Sequence, residues 1–282
     1  MADLISPSEL AALAASDSSV LILDVRWRLD RQDGRPEYLE GHIPGAVFVD
    51  LGRELARHGL PGDGRHPLPT RDDLQDAARR WGLHNGETVV VYDDWDSIAA
   101  ARAWWLLTRS GISDVRVLDG GLTAWTAAGM PLEQEAVERP PGDVELADIV
   151  AGIATIDDAA AWPERGVLLD ARAAERYRGD VEPIDPAAGH IPGAVNLPAA
   201  AYLDAGRFLP ADRMRETFAA LGIEEGVPVA AYCGSGITAA HTALAGRIAG
   251  IDIAVYPGSW SQWSNTPGRP VATGASPGGE LR

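Results

Sequence analysis

The segment His42-Ile43-Pro44-Gly45-Ala46-Val47 occurs a second time in this chain, as His190-Ile191-Pro192-Gly193-Ala194-Val195. The repetition reaches well beyond that motif. Upstream, Leu21-Ile22-Leu23-Asp24-Val25-Arg26 matches Val167-Leu168-Leu169-Asp170-Ala171-Arg172. Downstream, Thr88-Val89-Val90-Val91-Tyr92-Asp93 matches Pro228-Val229-Ala230-Ala231-Tyr232-Cys233. Further on, Gly120-Gly121-Leu122 followed by Trp125 matches Gly258-Ser259-Trp260 followed by Trp263. Matches in one order at nearly constant offset mean two copies of one scaffold. A length of 282 residues suits two modest cores better than one large one. We therefore expect a first domain over 1–133, a linker over 134–152 and a second domain over 153–282.

In each half, runs such as Leu21-Ile22-Leu23 and Val89-Val90-Val91 are apolar on both faces of a strand, and they alternate with Ala- and Arg-rich amphipathic stretches. That pattern predicts an α/β fold, each half a parallel sheet with helices on both faces. Helices are expected over Ser6 to Ala15, Thr70 to Trp81, Ala99 to Ser110, Asp212 to Leu221 and Thr238 to Ala249. Ser6, Thr70 and Asp212 are the capping residues. Pro140-Pro141-Gly142 marks the linker as extended, and the Gly- and Ser-containing tail over 273–282 reads as mobile.

The formal net charge of −17 argues against nucleic acid and anionic membrane surfaces as partners. No apolar run approaches the ~20 residues of a membrane helix. The start, Met1-Ala2-Asp3-Leu4, lacks the basic and apolar parts of a signal peptide. A single cysteine permits no internal disulfide, so a cytoplasmic location is expected. The dispersed histidines supply no metal cluster, and Gly234-x-Gly236 lacks the third glycine of a dinucleotide fingerprint, so neither metal nor cofactor is expected.

The two halves differ where the chemistry would sit. The second carries Cys233-Gly234-Ser235-Gly236-Ile237-Thr238 between a strand and a helix. A short Gly-rich loop at a helix start turns backbone N–H groups towards its centre, and these favour negative charge on the sulfur. The first half has Asp93-Asp94-Trp95-Asp96 instead, carboxylates that repel anions, and so reads as catalytically inactive. Arg172, Arg176 and Arg178 cluster in a strongly acidic protein. They form either a small-anion site or a solvated face paired with Glu175 and Asp180.

With its repeated His-Ile-Pro-Gly-Ala, paired Asp-x-Arg strand ends, Cys233 loop and Gly258-Ser259-Trp260-x-x-Trp263, the chain resembles the tandem-domain rhodanese family of sulfurtransferases over essentially its whole length. The resemblance implies two rhodanese-like domains, the C-terminal one bearing the catalytic cysteine. Family members that prefer thiosulfate carry basic residues after that cysteine. Those acting on 3-mercaptopyruvate carry Cys-Gly-Ser/Thr-Gly-Val-Thr, which the present loop nearly matches. The implied activity is transfer of sulfur from 3-mercaptopyruvate, through a Cys233 persulfide, to a thiol, cyanide or thioredoxin-like acceptor. The alternative is a thiosulfate:cyanide sulfurtransferase using the same persulfide.

The resemblance further implies Cys233, Ser235 and His42 as catalytic residues, the serine and histidine relaying a proton, with Asp33 a candidate acid upstream. Arg176 grips the donor anion, and Gly234, Gly236, Ile237 and Thr238 complete the binding loop, Thr238 also capping the helix. The mercaptopyruvate class has a second arginine shortly before the second Gly-His-Ile-Pro-Gly. This chain has none between Glu182 and Gly189, which leaves Arg178 to compensate. His190 is expected to stabilise its turn, Trp260 and Trp263 to pack beneath the loop, and Asp170 to organise Arg172. Two other readings are weaker. A Cys-x5-Arg phosphatase or arsenate reductase needs an arginine where Ala239 stands, and a non-catalytic carrier module needs no retained cysteine loop.

Overall fold

The computed structural model describes residues 3–16 and 19–281. Of the N-terminal residues read for a signal sequence, Met1 and Ala2 lie outside that set, as does Arg282 of the tail. The chain forms two compact units. One comprises residues up to 57, 68–150 and 205–208; the other comprises 58–67, 151–204 and 209–282.

The first unit is built on a parallel sheet in the order Leu4–Ile5, Val115–Leu118, Thr88–Tyr92, Val20–Asp24, Ala46–Phe48. Its central strands are buried on both faces, as continuous apolar runs require: Leu21, Leu23, Val89, Val90 and Val91 are fully inaccessible. The second unit repeats the design with the parallel order Ile253–Val255, Val229–Tyr232, Val167–Asp170, Val195–Asn196. Helices flank both sheets. The predicted helices form as Pro7–Ala14, Arg71–Arg80, Ile98–Arg109, Ala211–Ala219 and Ile237–Ala249. Ser6 and Thr70 cap theirs by accepting the Glu9 and Asp73 N–H groups. Asp212 does not cap: the helix starts one residue earlier, behind Pro210, which fills the N-cap position without a side-chain bond.

The duplicated motifs occupy equivalent positions. In each unit the strand-end aspartate takes the following arginine in a two-pronged ion pair, Nε at 3.0 Å and Nη2 at 2.6 Å, for Arg26 on Asp24 and for Arg172 on Asp170. The arginine also donates to the carbonyl before the motif histidine, at Gly41 or Gly189. Tyr38 stacks on His42 and Tyr177 on His190, both at 3.8 Å between centroids. Tyr92 and Tyr232 each accept the N–H of the motif isoleucine at 3.1 Å.

Two expectations about organisation change. Residues 134–150 are extended but do not hang free as a linker. Val144 and Leu146 are buried, and the Val144, Gly142 and Ala147 N–H groups donate to Leu83, Arg79 and Ser110 carbonyls. The apolar side chains hold this segment on the first unit, where its Pro and Gly content forbids a helix but not packing. The tail is likewise tied down: Ala272–Thr273 pairs antiparallel with Glu280–Leu281, and the Pro277 carbonyl accepts the Gly193 N–H at 2.7 Å.

Candidate active site

Cys233 follows directly on the strand Val229–Tyr232 and precedes the helix Ile237–Ala249. It is 3% exposed. Its Sγ accepts the Gly236 N–H at 3.1 Å, so the turn folds back over the sulfur. Gly236 makes this possible: at φ +83 it is left-handed, and a Cβ there would lie 2.5 Å from the Pro257 carbonyl oxygen. The loop is held from below by the segment 256–261. The Ser259 hydroxyl accepts the Cys233 N–H, while the Trp260 and Ser261 N–H groups donate to the Cys233 and Gly234 carbonyls. Trp260 and Trp263 are buried in the second unit's core, Trp260 beneath the Arg172 guanidinium at 4.5 Å. Thr238 has no capping bond, since Gly236 occupies the N-cap position. Ile237 is buried.

The Ser235 hydroxyl lies 2.8 Å from Nδ1 of His66. This is not the histidine expected from the sequence. His42 is fully buried in the first unit with Nδ1 on the Tyr38 carbonyl at 2.8 Å and Nε2 on Glu133 at 3.2 Å. Both ring nitrogens are committed to the turn, just as those of His190 contact the Tyr177 and Pro277 carbonyls. Asp33 is exposed and accepts the Arg35 N–H. His66 instead arrives on the segment 58–67, which belongs to the second unit although it lies in the first repeat. That segment is pinned by a close approach: Gly64, at φ +86, leaves only 2.8 Å between its would-be Cβ and the Gly258 carbonyl oxygen. The Arg65 N–H donates to Ser261 Oγ and Gln262 donates to the Gly62 carbonyl.

Arg176, on the short helix Ala174–Arg178, binds Glu182 through Nε at 3.2 Å and Nη2 at 2.6 Å, and reaches Asp185 at 3.3 Å. Arg65 Nη1 meets the other oxygen of Asp185. Arg178 pairs with Asp180 at the surface and does not join this group. Arg172 is buried in its Asp170 pair.

In the first unit the matching loop is filled by its own side chain. Asp93 is fully buried, and its carboxylate accepts the N–H groups of Trp95, Ser97 and Ala100 at 2.8–2.9 Å. A loop that cradles an anion has supplied one internally, while Asp94 is paired with Arg28 and Arg31. Burial pushes the Asp93 carboxyl up to about 6, against the pull of those N–H groups. A raised acid pKa stabilises the fold fully below the unfolded value near 4 and loses that contribution as pH rises through about 6. We expect the stability of the native protein relative to Asp93→Asn to fall by about 2 kcal/mol between pH 4 and pH 7.5. Paired denaturant titrations across that range measure it; a constant difference would contradict the buried, proton-binding carboxyl.

Among the described residues there is no cluster of His, Cys, Asp and Glu able to hold a metal ion, and no helix long and apolar enough to cross a membrane.

Comparison with known proteins agrees with this architecture. The rhodanese-like domain model matches residues 6–128 and 155–266. A Mycobacterium tuberculosis protein, provisionally named thiosulfate sulfurtransferase SseB, is 48% identical over 97% of this chain and 98% of its own length. A Pseudomonas aeruginosa protein, provisionally named 3-mercaptopyruvate sulfurtransferase, is 46% identical over 97% of this chain and 99% of its own. The crystal structure of the 3-mercaptopyruvate sulfotransferase SseA from Escherichia coli superposes with a TM-score of 0.83 at 31% identity, covering 92% of this chain and 99% of that one. With both repeats matched and full-length relatives named as sulfurtransferases, the chain belongs to the rhodanese family and is a tandem-domain sulfurtransferase enzyme.

Proposed function

We propose that the protein transfers sulfur from 3-mercaptopyruvate through a persulfide on Cys233, with Ser235 and His66 carrying the proton. The observation that carries this reading is the Cys233 sulfur held under the Gly236 N–H, beside a serine hydroxyl that contacts a histidine. The Cys233 thiolate attacks the donor's thiol sulfur, an S–S bond forms, and the C–S bond breaks. Its electron pair passes to the methylene carbon as an enolate. The proton leaving the donor sulfur travels through Ser235 and His66 to that carbon, giving pyruvate and an enzyme-bound persulfide anion. Loop N–H groups favour negative charge within the loop, on the Cys233 sulfur of the thiolate and on the adjoining outer sulfur of the persulfide. An acceptor thiolate or cyanide then attacks the outer sulfur and regenerates the Cys233 thiolate. The acceptor is a small thiol, cyanide or a thioredoxin-like dithiol, and the reaction takes place in the cytoplasm.

The loop favours this donor. Residues 234–238 contain no cation, so a doubly charged thiosulfate finds only N–H groups and hydroxyls close to the sulfur. Asp185 and Glu182 also offset the charge of Arg65 and Arg176. The second reading, thiosulfate as donor, is favoured by the name of the Mycobacterium relative. We expect kcat/KM for 3-mercaptopyruvate to exceed that for thiosulfate by at least ~10-fold, about 1.4 kcal/mol of transition-state discrimination. Steady-state kinetics with both donors decides it, and the reverse ratio assigns thiosulfate. Mass spectrometry after incubation with donor should find one extra sulfur on Cys233.

A further inference from the structure

We infer that Ser259 is a positioning residue for the Cys233 nucleophile. Its hydroxyl, set between the Cys233 N–H and the Tyr256 carbonyl, turns the cysteine out of the sheet so that the sulfur reaches the Gly236 N–H. The inference rests on the reading of Cys233 as the sulfur-accepting residue.

Ser259 is a backbone outlier. It is fully buried and has φ +53, in the left-handed region that a residue with a Cβ rarely enters. Strain of this kind persists only where surrounding contacts enforce it, and it collects at functional sites. The first repeat shows that the scaffold needs the turn but not the side chain. Gly121 holds the matching position at φ +54. The N–H of the following residue makes the same bond in both copies, Leu122 to the Asp93 carbonyl and Trp260 to the Cys233 carbonyl, each at 2.9 Å. A Cβ on Gly121 would lie 2.3 Å from the Asp93 carbonyl oxygen, so the first copy has no room for the side chain that the second carries.

Strand register shows what the serine does. Val229–Tyr232 and Ile253–Val255 run parallel with Ala231 opposite Val255, and the Tyr256 N–H donates to the Ala231 carbonyl at 2.9 Å. The next rung of a parallel ladder would carry the Cys233 N–H to the Tyr256 carbonyl. The Ser259 hydroxyl stands in that rung instead. Its oxygen accepts the Cys233 N–H at 3.1 Å, and its own proton goes to the Tyr256 carbonyl at 2.9 Å. Both backbone groups are satisfied, yet a hydroxyl holds them apart. Cys233 therefore parts from the neighbouring strand, and its sulfur lies 3.1 Å from the Gly236 N–H. Glycine at position 259 would let the rung close and draw the nucleophile back towards the sheet.

Two measurements on Ser259→Gly test this. Alkylation of Cys233, the chain's only cysteine, by iodoacetamide at pH 7 should slow by ~10-fold, the low end for losing one hydrogen bond to a charged group. With 3-mercaptopyruvate, kcat should fall by a similar ~10-fold while KM stays within about threefold, because the change touches the nucleophile and not the donor's grip. A merely structural serine predicts the opposite for alkylation, since loosened packing exposes a buried thiol and speeds its reaction. Alkylation that is faster, or unchanged within twofold, overturns the assignment. Ser259→Ala removes the hydroxyl but keeps the Cβ and should show the same two losses; if it is impaired while Ser259→Gly behaves as the unsubstituted enzyme, the assignment also fails. Should Ser259→Gly lose its cooperative thermal unfolding, Ser259→Ala read in the same way decides. Alkylation needs no sulfur donor, so it judges Ser259 even where the unsubstituted enzyme takes no sulfur from 3-mercaptopyruvate, a result that strikes the donor reading alone.

Discussion

Cys233→Ser abolishes turnover with every sulfur donor, by at least ~10³-fold in kcat, and leaves the protein folded. The chemistry requires a sulfur nucleophile: a serine hydroxyl is scarcely ionised near neutral pH and cannot form a persulfide. The fold, by contrast, tolerates the exchange. Cys233 is buried, its sulfur accepts the Gly236 N–H, and a hydroxyl oxygen can accept the same bond. Thermal unfolding should therefore be nearly unchanged while mass spectrometry after donor treatment finds no added sulfur. Appreciable turnover by Cys233→Ser, or a persulfide elsewhere in the chain, would remove the basis of the mechanism.

His66→Ala lowers kcat by ~10²- to 10³-fold, the usual contribution of one positioned proton carrier, and changes the donor KM far less. His66 contacts the Ser235 hydroxyl, so in the proposed proton path the two act as a unit. The double variant with Ser235→Ala should then be little worse than His66→Ala alone. His42→Ala is the informative contrast. Its ring is buried against Tyr38 and bonded at both nitrogens. Its removal leaves buried polar groups unpaired and costs stability, by roughly 1–3 kcal/mol, without lowering the kcat of the folded enzyme. Equal kcat losses in the two histidine variants would mean that the His66–Ser235 contact carries no proton.

These contrasts show where the primary structure speaks and where it is silent. The pairing of Asp24 with Arg26, and of Asp170 with Arg172, could be read from spacing because two residues apart on one strand end is a local relation. The Cys233 turn is local too: its glycines and the following helix lie within a few residues. His42 drew attention because it sits in the repeated motif. Repetition marks what the scaffold needs, and the structure gives both motif histidines the same turn-holding bonds. The useful signal was the departure from repetition. The offset between the two copies falls from 148 at His42 and His190 to 140 at Asp93 and Cys233, so the first copy carries extra residues between those points. That stretch contains Arg65 and His66.

The sequence by itself determined the duplicated parallel-sheet scaffold, the single thiol, the glycine turn around it and the carboxylate that replaces it in the first copy. All of these follow from hydrophobic period, backbone freedom and residue chemistry acting over a few positions. The tertiary structure decided which histidine meets Ser235 and which arginine joins Arg176 at Asp185. Arg65 is 111 residues before Arg176 in the chain, and nothing local relates them. They come together because Gly64 lets its backbone approach Gly258 closely and because Asp185 binds both guanidinium groups. Long-range contacts of that kind depend on how the chain closes on itself.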